Sequence, residues 1–592
     1  MNRTGVAFGD YISKGDYKRK NWGYEDETHF NRNYFLLFLA IFLFAVLIFR
    51  LFFLQIIQGY YYRYLSDNNR TKTVTVHAPR GIIFDRNGVP LVFNLPGFRE
   101  SVNGKTVLIP KDQALGLIAS GKNNLEVDTL RNYPYKDAFA HVLGYVGQIS
   151  KDELADPLHS DYSSGDIIGK SGIEQQYEPM LRGVDGKQLF EVDAQGNLTR
   201  KLGQQDPISG QNITLTLDAK LQEAVFAAMN GVKKGAAIVS TPKGEILALI
   251  SKPSFDPNLF TMGESYKIAS NGAYLTLSDV LLDGQNQPLL NRAIGGTYPP
   301  GSTFKLIVAS AGLKNNIIDE NWQVDDTGIL KVGDFSFSNW YYTGYGGTDG
   351  QVNIVKGIKR SNDIFFYKLA EKVGVDQVSA TAKQFGLGQK LGIDLGGEQA
   401  GVVPTQEWKL KNIGEQWYLG DTYHYGIGQG YLLTTPLQVN GWTQAIANDG
   451  TLYIPHLLKN QESRIKNQDL LDAHSSDLIK EGMVEACSPG GVAWPLFNYE
   501  IKNAKLAIDG KNILGVDPSS GSADMRHVVV ACKTGTAENG GNNTLAHAWI
   551  TLFAPAYNPQ IVVTVLSENS GEGSNVAGPI AKQILDSWFG GR

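Results

Sequence analysis

Tyr-Pro-Pro-Gly-Ser-Thr-Phe-Lys-Leu, residues 298–306, sets Ser302 three residues ahead of Lys305, where an apolar run reaching Leu313 begins. The prolines and glycine read as breakers outside a helix start, with the periodic residues inside it. Positions three apart share a helix face, so the pattern predicts a hydroxyl beside an amine. A serine hydroxyl is a weak nucleophile until a neighbouring base takes its proton. A desolvated amine has its pKa lowered enough to be that base. Backbone N–H groups at a helix start are placed to hold an oxyanion. The pair points to acyl transfer through serine.

The same four-residue spacing recurs at Ser240 with Lys243 and at Ser463 with Lys466. Pro242 breaks any helix at the first, which reads as a turn between two apolar strands. The second lies in a polar stretch with no apolar face to bury. An ordinary capped helix is the blander account of any single match, so the rest of the chain has to decide.

With 592 residues the chain has room for two or three domains. A net charge of −5 and a pI near 6.0 leave no electrostatic footprint for nucleic acid. Cys487 and Cys532 are too few for a disulfide framework and belong to no spaced Cys/His set. Two reduced, buried thiols are expected, with one disulfide as the alternative in an oxidising compartment.

Residues 34–49 carry no charged side chain, and the apolar run resumes after Arg50 to Ile57. At about 1.5 Å per residue, 34–57 spans roughly 36 Å, enough for a bilayer core of about 30 Å. Tyr60, Tyr61, Tyr62 and Tyr64 suit an interfacial belt. About 33 polar residues precede the run and no small-residue cleavage site follows it, so an uncleaved signal anchor is expected. Arg3, Lys14, Lys18, Arg19, Lys20 and Arg32 favour a cytoplasmic 1–33, with the remainder extracytoplasmic.

Four regions follow: 1–33 cytoplasmic, 34–57 anchor, 58–210 a β-rich, elongated pedestal, and 211–592 catalytic. Within the pedestal, Gly165 to Ser171 resembles a phosphate loop but is one residue short between its glycines. Past 211, a helix is expected at 219–229 and a hairpin at 236–240 and 245–251. The middle reads as helical, for example at 355–373 and 435–448. Strands return at 528–532, 548–553 and 560–567, before a helix at 576–589. Strands at both ends with helices between predict an α+β fold, an antiparallel sheet flanked by helices.

Two further clusters fall in this region. Ser361-Asn-Asp363 heads an apolar helical run, where Ser361 could simply be an N-cap. Lys533-Thr-Gly-Thr536 ends an apolar strand, which alone could be an ordinary glycine turn. Their order decides. Ser-x-x-Lys, then Ser-x-Asp 59 residues on, then Lys-Thr-Gly-Thr after a further 172, is the motif set of the penicillin-recognising serine enzymes.

The chain resembles the class B penicillin-binding proteins, and most of all their elongation group. Pro-Arg-Gly-Ile-Ile-Phe-Asp-Arg-Asn-Gly at 79–88 carries the likeness in the pedestal, as do 133–147 and 169–186. Pro-Ser-Phe-Asp-Pro-Asn-Leu-Phe at 253–260, Asn-Arg-Ala from 291, Gly-Ile-Gly-Gln-Gly-Tyr at 426–431 and the stretch 569–579 carry it beyond. The resemblance implies the penicillin-binding transpeptidase fold behind a dimerisation-type pedestal and one transmembrane helix. It implies Ser302 as nucleophile, Lys305 as its base, Ser361 as proton relay and Lys533 as the charge that sets the cleft. Asp363 completes the second motif, with Asn362 as the alternative for its polar role. Thr534, Gly535 and Thr536 would bind substrate, the two threonines through its carboxylate. The backbone N–H groups of Ser302 and Thr536 would form the oxyanion hole.

The implied reaction cross-links D-Ala-D-Ala stem peptides of peptidoglycan during elongation, and β-lactams would acylate the same serine. Neither cofactor nor metal is expected. Implied partners are a SEDS-family multi-pass glycan polymerase and other elongation-complex proteins. Between about 98 and 133 the pedestal is shorter than the family's head, and 498–526 reads as a polar, glycine-rich insertion. The alternatives are a division-type transpeptidase, a D,D-carboxypeptidase or β-lactamase, and a structural activator or β-lactam sensor that need not turn over.

Overall fold

The near-continuous apolar runs of the catalytic region are strands buried on both faces, the pattern of a sheet covered on each side by helices. The structure is a computed structural model. It describes residues 28–590 except 103–104, 123–124, 194, 196, 263–265, 269–272, 503–506, 509–510, 513–524, 539 and 541–543. Most of the expected 498–526 insertion, and 1–27 of the leading segment, lie outside the described residues.

The chain divides into two units, 1–75 with 187–205, and 76–186 with 206–592. In the first, α1 (Thr28–Phe52) runs into a π-helical turn at Phe53–Ile57. Asn33–Ile57, with a mean hydropathy of 2.9 and no buried residue, is long and apolar enough to cross a membrane. A helix at Gly59–Arg70 and a sheet of Thr71–Val76, Gly186–Val192 and Leu198–Gln205 complete this unit.

The second unit carries a sheet of β1 (Gly235–Ser240), β2 (Ile246–Lys252), β3 (Ala531–Ala537), β4 (His547–Ala554) and β5 (Ile561–Ser567). Its order is β2-β1-β5-β4-β3, antiparallel throughout. The N-terminal hairpin and the C-terminal meander thus close one sheet, and β3 is its edge. Against one face pack α2 (Ala219–Ala228) and, from the chain's end, the helix Ala577–Phe589, through Leu221, Val225, Ile580 and Ile584. The other face meets α3 (Lys305–Lys314), α4 (Ile354–Arg360), α5 (Asp363–Val373) and α6 (Pro436–Ala447) in a core holding Phe304, Ile307, Phe365 and Trp442. Each fully buried Leu, Ile or Phe contributes about 1.5–3 kcal/mol. That core continues into 76–186 through Ile83, Leu91, Val142 and Ile173.

Three expectations need correction. The helix expected at 355–373 is two helices: Ser361 turns left-handed (φ 52°) and ends α4, and Asn362 caps α5 by accepting from Phe365 N–H at 2.9 Å. Ser361 is therefore a helix terminator and not an N-cap. The Lys-Thr-Gly-Thr run lies inside β3, with Lys533 opposite Thr551, and not at the end of a strand. Cys487 and Cys532 form a disulfide with Cα atoms 6.0 Å apart. It joins the end of α7 (Ala473–Ala486) to the strand bearing Lys533. Apolar surroundings suit a thiol and a disulfide equally, so burial had no power to separate them.

Candidate active site

Close packing of backbone positions Ser302. Gly301 sits at φ +54°, and a Cβ there would stand 2.8 Å from the Thr536 carbonyl oxygen. Its glycine lets the 3₁₀ turn Gly301–Phe304 lie directly on β3. The Trp549 indole on β4 donates to the Pro299 carbonyl at 3.1 Å and holds the approach. Ser302 is half-buried at this junction, and Lys305, one turn later, is fully buried at the head of α3.

The break between α4 and α5 delivers the second set. Lys305 Nζ donates to Asp363 Oδ1 at 2.7 Å and to the Ser361 carbonyl at 2.7 Å, with the Ser361 Oγ at 3.4 Å. From β3, Lys533 Nζ donates to Ser361 Oγ at 2.8 Å and to the Thr534 carbonyl at 3.0 Å. Asp363 is itself held, its Oδ2 accepting from Trp340 N–H at 2.9 Å. Lys305, Ser361, Lys533 and Asp363 thus form one hydrogen-bonded chain with almost no access to water.

Burial disfavours the charged amine and pushes Lys305 below the ordinary lysine range, with the Asp363 carboxylate opposing. Lys533 is pushed well below that range, by burial first and then by the Lys305 charge. One carboxylate balances one ammonium, so the cluster favours a single shared proton over two cations.

Residues of one parity on β3 place Lys533 and Gly535 toward α3, while Thr534 and Thr536 project to the other side. Thr534 is buried, Gly535 lies against the Pro300 carbonyl, and Thr536 is exposed at the edge. Asn362 differs from the others. Its side chain is fully buried, donates to Asp326 and Asp349 at 2.8 and 3.0 Å, and caps α5, which leaves no surface for a substrate. Asp363, not Asn362, reaches the lysine.

The two other Ser-x-x-Lys copies stand apart. Ser240 ends β1 with its hydroxyl on Asn440, and Lys466 lies in the short strand Ile465–Asn467. The loop at 165–171 runs through the strand Ile167–Gly169. Sequence reading missed Asn339, Trp340, Asp326 and Asp349, the polar layer that fixes Asp363 and Asn362. No spacing signal marks them, since they meet only through tertiary folding. Among the described residues no group of three or more His, Cys, Asp or Glu is placed to hold a metal ion.

Comparison with known proteins shows the family. The family described as penicillin binding protein transpeptidase domain matches residues 235–586, and that of the penicillin-binding protein dimerisation domain matches 121–215. The chain is 34% identical to the peptidoglycan D,D-transpeptidase MrdA of Escherichia coli, over 94% of each chain. It is similar in structure to Pseudomonas aeruginosa PBP2 in complex with WCK 5153, at 35% identity and a TM-score of 0.65, covering 87% of this chain and 96% of that one. Helicobacter pylori PBP2, solved in complex with MreC, is 29% identical with a TM-score of 0.70, covering 88% and 98%. The chain belongs to the class B penicillin-binding proteins.

Proposed function

We propose that this protein is an elongation-type peptidoglycan D,D-transpeptidase in which Ser302 is the acylated nucleophile. The observation that carries the reading is the dry chain of Lys305, Ser361, Asp363 and Lys533 behind the Ser302 turn. Ser302 Oγ attacks the carbonyl carbon of the penultimate D-Ala and gives its proton to the Lys305 amine. The Ser302 and Thr536 backbone N–H groups stabilise the resulting oxyanion. As the C–N bond breaks, Ser361 passes a proton to the leaving D-Ala amine and is itself reprotonated from the lysine pair. The amine of a second stem peptide then attacks the acyl-enzyme, forms the cross-link and returns the proton to Ser302.

Ser361 lies between two amines, and Asp363 stabilises a proton on Lys305. Burial favours the neutral form of Lys305, which is ready to act as base, against the pull of Asp363. The edge strand β3 offers its outer backbone to an extended peptide. Thr536, exposed there, and Thr534 bind the substrate carboxylate. A β-lactam opens on the same serine, and its leaving amine stays tethered in the site.

The anchor at 34–57 holds the catalytic region on the outer face of the cytoplasmic membrane, with 1–33 inside. Residues 58–210 serve as the pedestal and 211–592 as the transpeptidase domain. H. pylori PBP2 forms a complex with MreC, which supports elongation-complex partners here; a SEDS-family polymerase is proposed beside them. Labelling with fluorescent penicillin tests the nucleophile: Ser302→Ala is expected to abolish it, and undiminished covalent labelling would overturn the assignment. Cross-linking of lipid-linked glycan strands separates a transpeptidase from a carboxypeptidase or a β-lactam sensor.

A further inference from the structure

The turn that carries Ser302 is tied to the end of β5 through one phenol. Tyr298, at the start of the same stretch, is buried, and its hydroxyl donates to Glu568 Oε1 at 2.7 Å. Its ring folds back over Gly296, where a Cβ would stand 2.4 Å from the phenol oxygen. Glu568 directly follows β5, and the same Oε1 accepts from Arg292 Nε at 2.7 Å. Arg292 is only 3% exposed and donates its other N–H groups to the Gln287 and Asn286 carbonyls at 3.1 and 2.8 Å. Burial and the Glu568 carboxylate both push the Tyr298 hydroxyl above the ordinary tyrosine range, so it stays a donor.

Glu568 also leads to Thr536. The next residue, Asn569, donates its backbone N–H to His547 Nδ1 at 3.1 Å, and His547 pairs with Ala537 between β4 and β3. Further along this loop, Gly573 N–H reaches Thr536 Oγ1 at 3.4 Å. A Cβ on Gly573 would stand 2.2 Å from the Trp549 carbonyl oxygen and 2.5 Å from that of Gly535, so the loop lies directly on β3 and β4. The Tyr298 ring meets His547 and Trp549 edge-on, with centroids 5.6 and 6.3 Å away. Those two residues flank Ala548, the partner of Thr536 in the ladder. One carboxylate thus joins the approach to Ser302 with the loop that lies on Thr536.

We propose that Tyr298 and Glu568 are positioning residues for the oxyanion hole, holding the Ser302 and Thr536 N–H groups at their working separation. Their role rests on the proposed acyl transfer at Ser302. A developing oxyanion needs both donors aligned at once, whereas the ground-state carbonyl demands less of them. A loosened tie is therefore felt in the acylation step and not in the binding that precedes it.

The test uses the full chain in detergent and a concentration series of benzylpenicillin, which separates the acylation rate constant from the dissociation constant of the noncovalent complex. Tyr298→Phe keeps the ring and removes only the hydroxyl. Its acylation rate constant is expected to fall about tenfold, with the dissociation constant unchanged. Affinity for a peptide boronic acid, whose tetrahedral adduct on serine places an oxygen in the hole, is expected to fall by the same factor. Glu568→Gln keeps the accepting oxygen and is expected to acylate at close to the wild-type rate. An unchanged rate constant in Tyr298→Phe overturns the proposal, even if the variant melts at a lower temperature. So does a loss confined to the dissociation constant, or a Glu568→Gln variant as slow as Tyr298→Phe, since the tie to the phenol would then not set the rate. Should the wild-type chain form no covalent adduct, or Ser302→Ala label in full, the acyl-transfer reading itself fails, and the positioning role with it.

Discussion

Asp363 shows how one carboxylate governs the chemistry of two amines. It opposes the effect of burial on both Lys305 and Lys533, so removing its charge lowers both pKa values further. As the proposed base, Lys305 is active when neutral, and its neutral fraction rises with pH through the pKa. In Asp363→Asn the rising limb of the acylation rate is therefore expected to move to lower pH, as read from penicillin labelling rates across a pH series. A limb that stays in place would show that Asp363 acts only by position. At Ser361 the backbone matters as much as the hydroxyl, because φ is 52°. Ser361→Gly and Ser361→Ala both lose the bridge to Lys533, but the alanine variant is expected to be about 1 kcal/mol less stable than the glycine one. Denaturant unfolding of the pair measures that difference. Ser302, Lys305 and Lys533 were legible in the sequence as motif residues. The left-handed turn was not, because Ser-Asn-Asp before an apolar run reads equally well as a helix start.

At the scale of elements, the site depends on three segments staying in register: the Ser302 turn, the α4–α5 break and β3. The disulfide braces the last of these, tying Cys532, next to Lys533, to the end of α7, with Gly482 of α7 packed on Ile358 of α4. It closes a loop with a sequence separation of 45 residues. Reduction is expected to destabilise the protein by about 2–4 kcal/mol and to slow acylation as Lys533 loses its fixed place. Thermal unfolding and labelling with and without reductant check both effects; unchanged labelling would show that the sheet alone holds β3. The strands and most helices were visible as apolar runs bounded by breakers. The pairing order of the five strands was visible only in part. Hairpins follow from adjacency, but the contact of β1 with β5 joins segments more than 300 residues apart.

For the whole molecule, the expected boundary at 210 does not interrupt packing within the larger unit. Tyr133 exchanges both backbone hydrogen bonds with the Asn258 side chain, and Gln222 reaches the Ala138 carbonyl. One hydrophobic core runs from Ile83 to Leu566. Residues 76–186 and 206–592 are therefore expected to unfold in a single transition. Asn258→Ala, which leaves two buried backbone groups unpaired, should lower that transition by about 1–3 kcal/mol or more. Calorimetry that resolves two independent transitions for these stretches would refute a shared core.

The sequence by itself determined the class of chemistry, the membrane-length apolar helix and the α+β plan, because each is written locally. Helix starts, apolar runs and motif order survive without knowledge of distant contacts. Tertiary structure alone decided that Asp363 rather than Asn362 meets the lysine and that the two cysteines join. Those outcomes depend on which distant side chains share a dry volume, where the number of partners is fixed by geometry and not by neighbours along the chain. The Ser-x-x-Lys at 302–305 is one of three copies in the sequence; what sets it apart in the fold is the second lysine brought to the far side of Ser361.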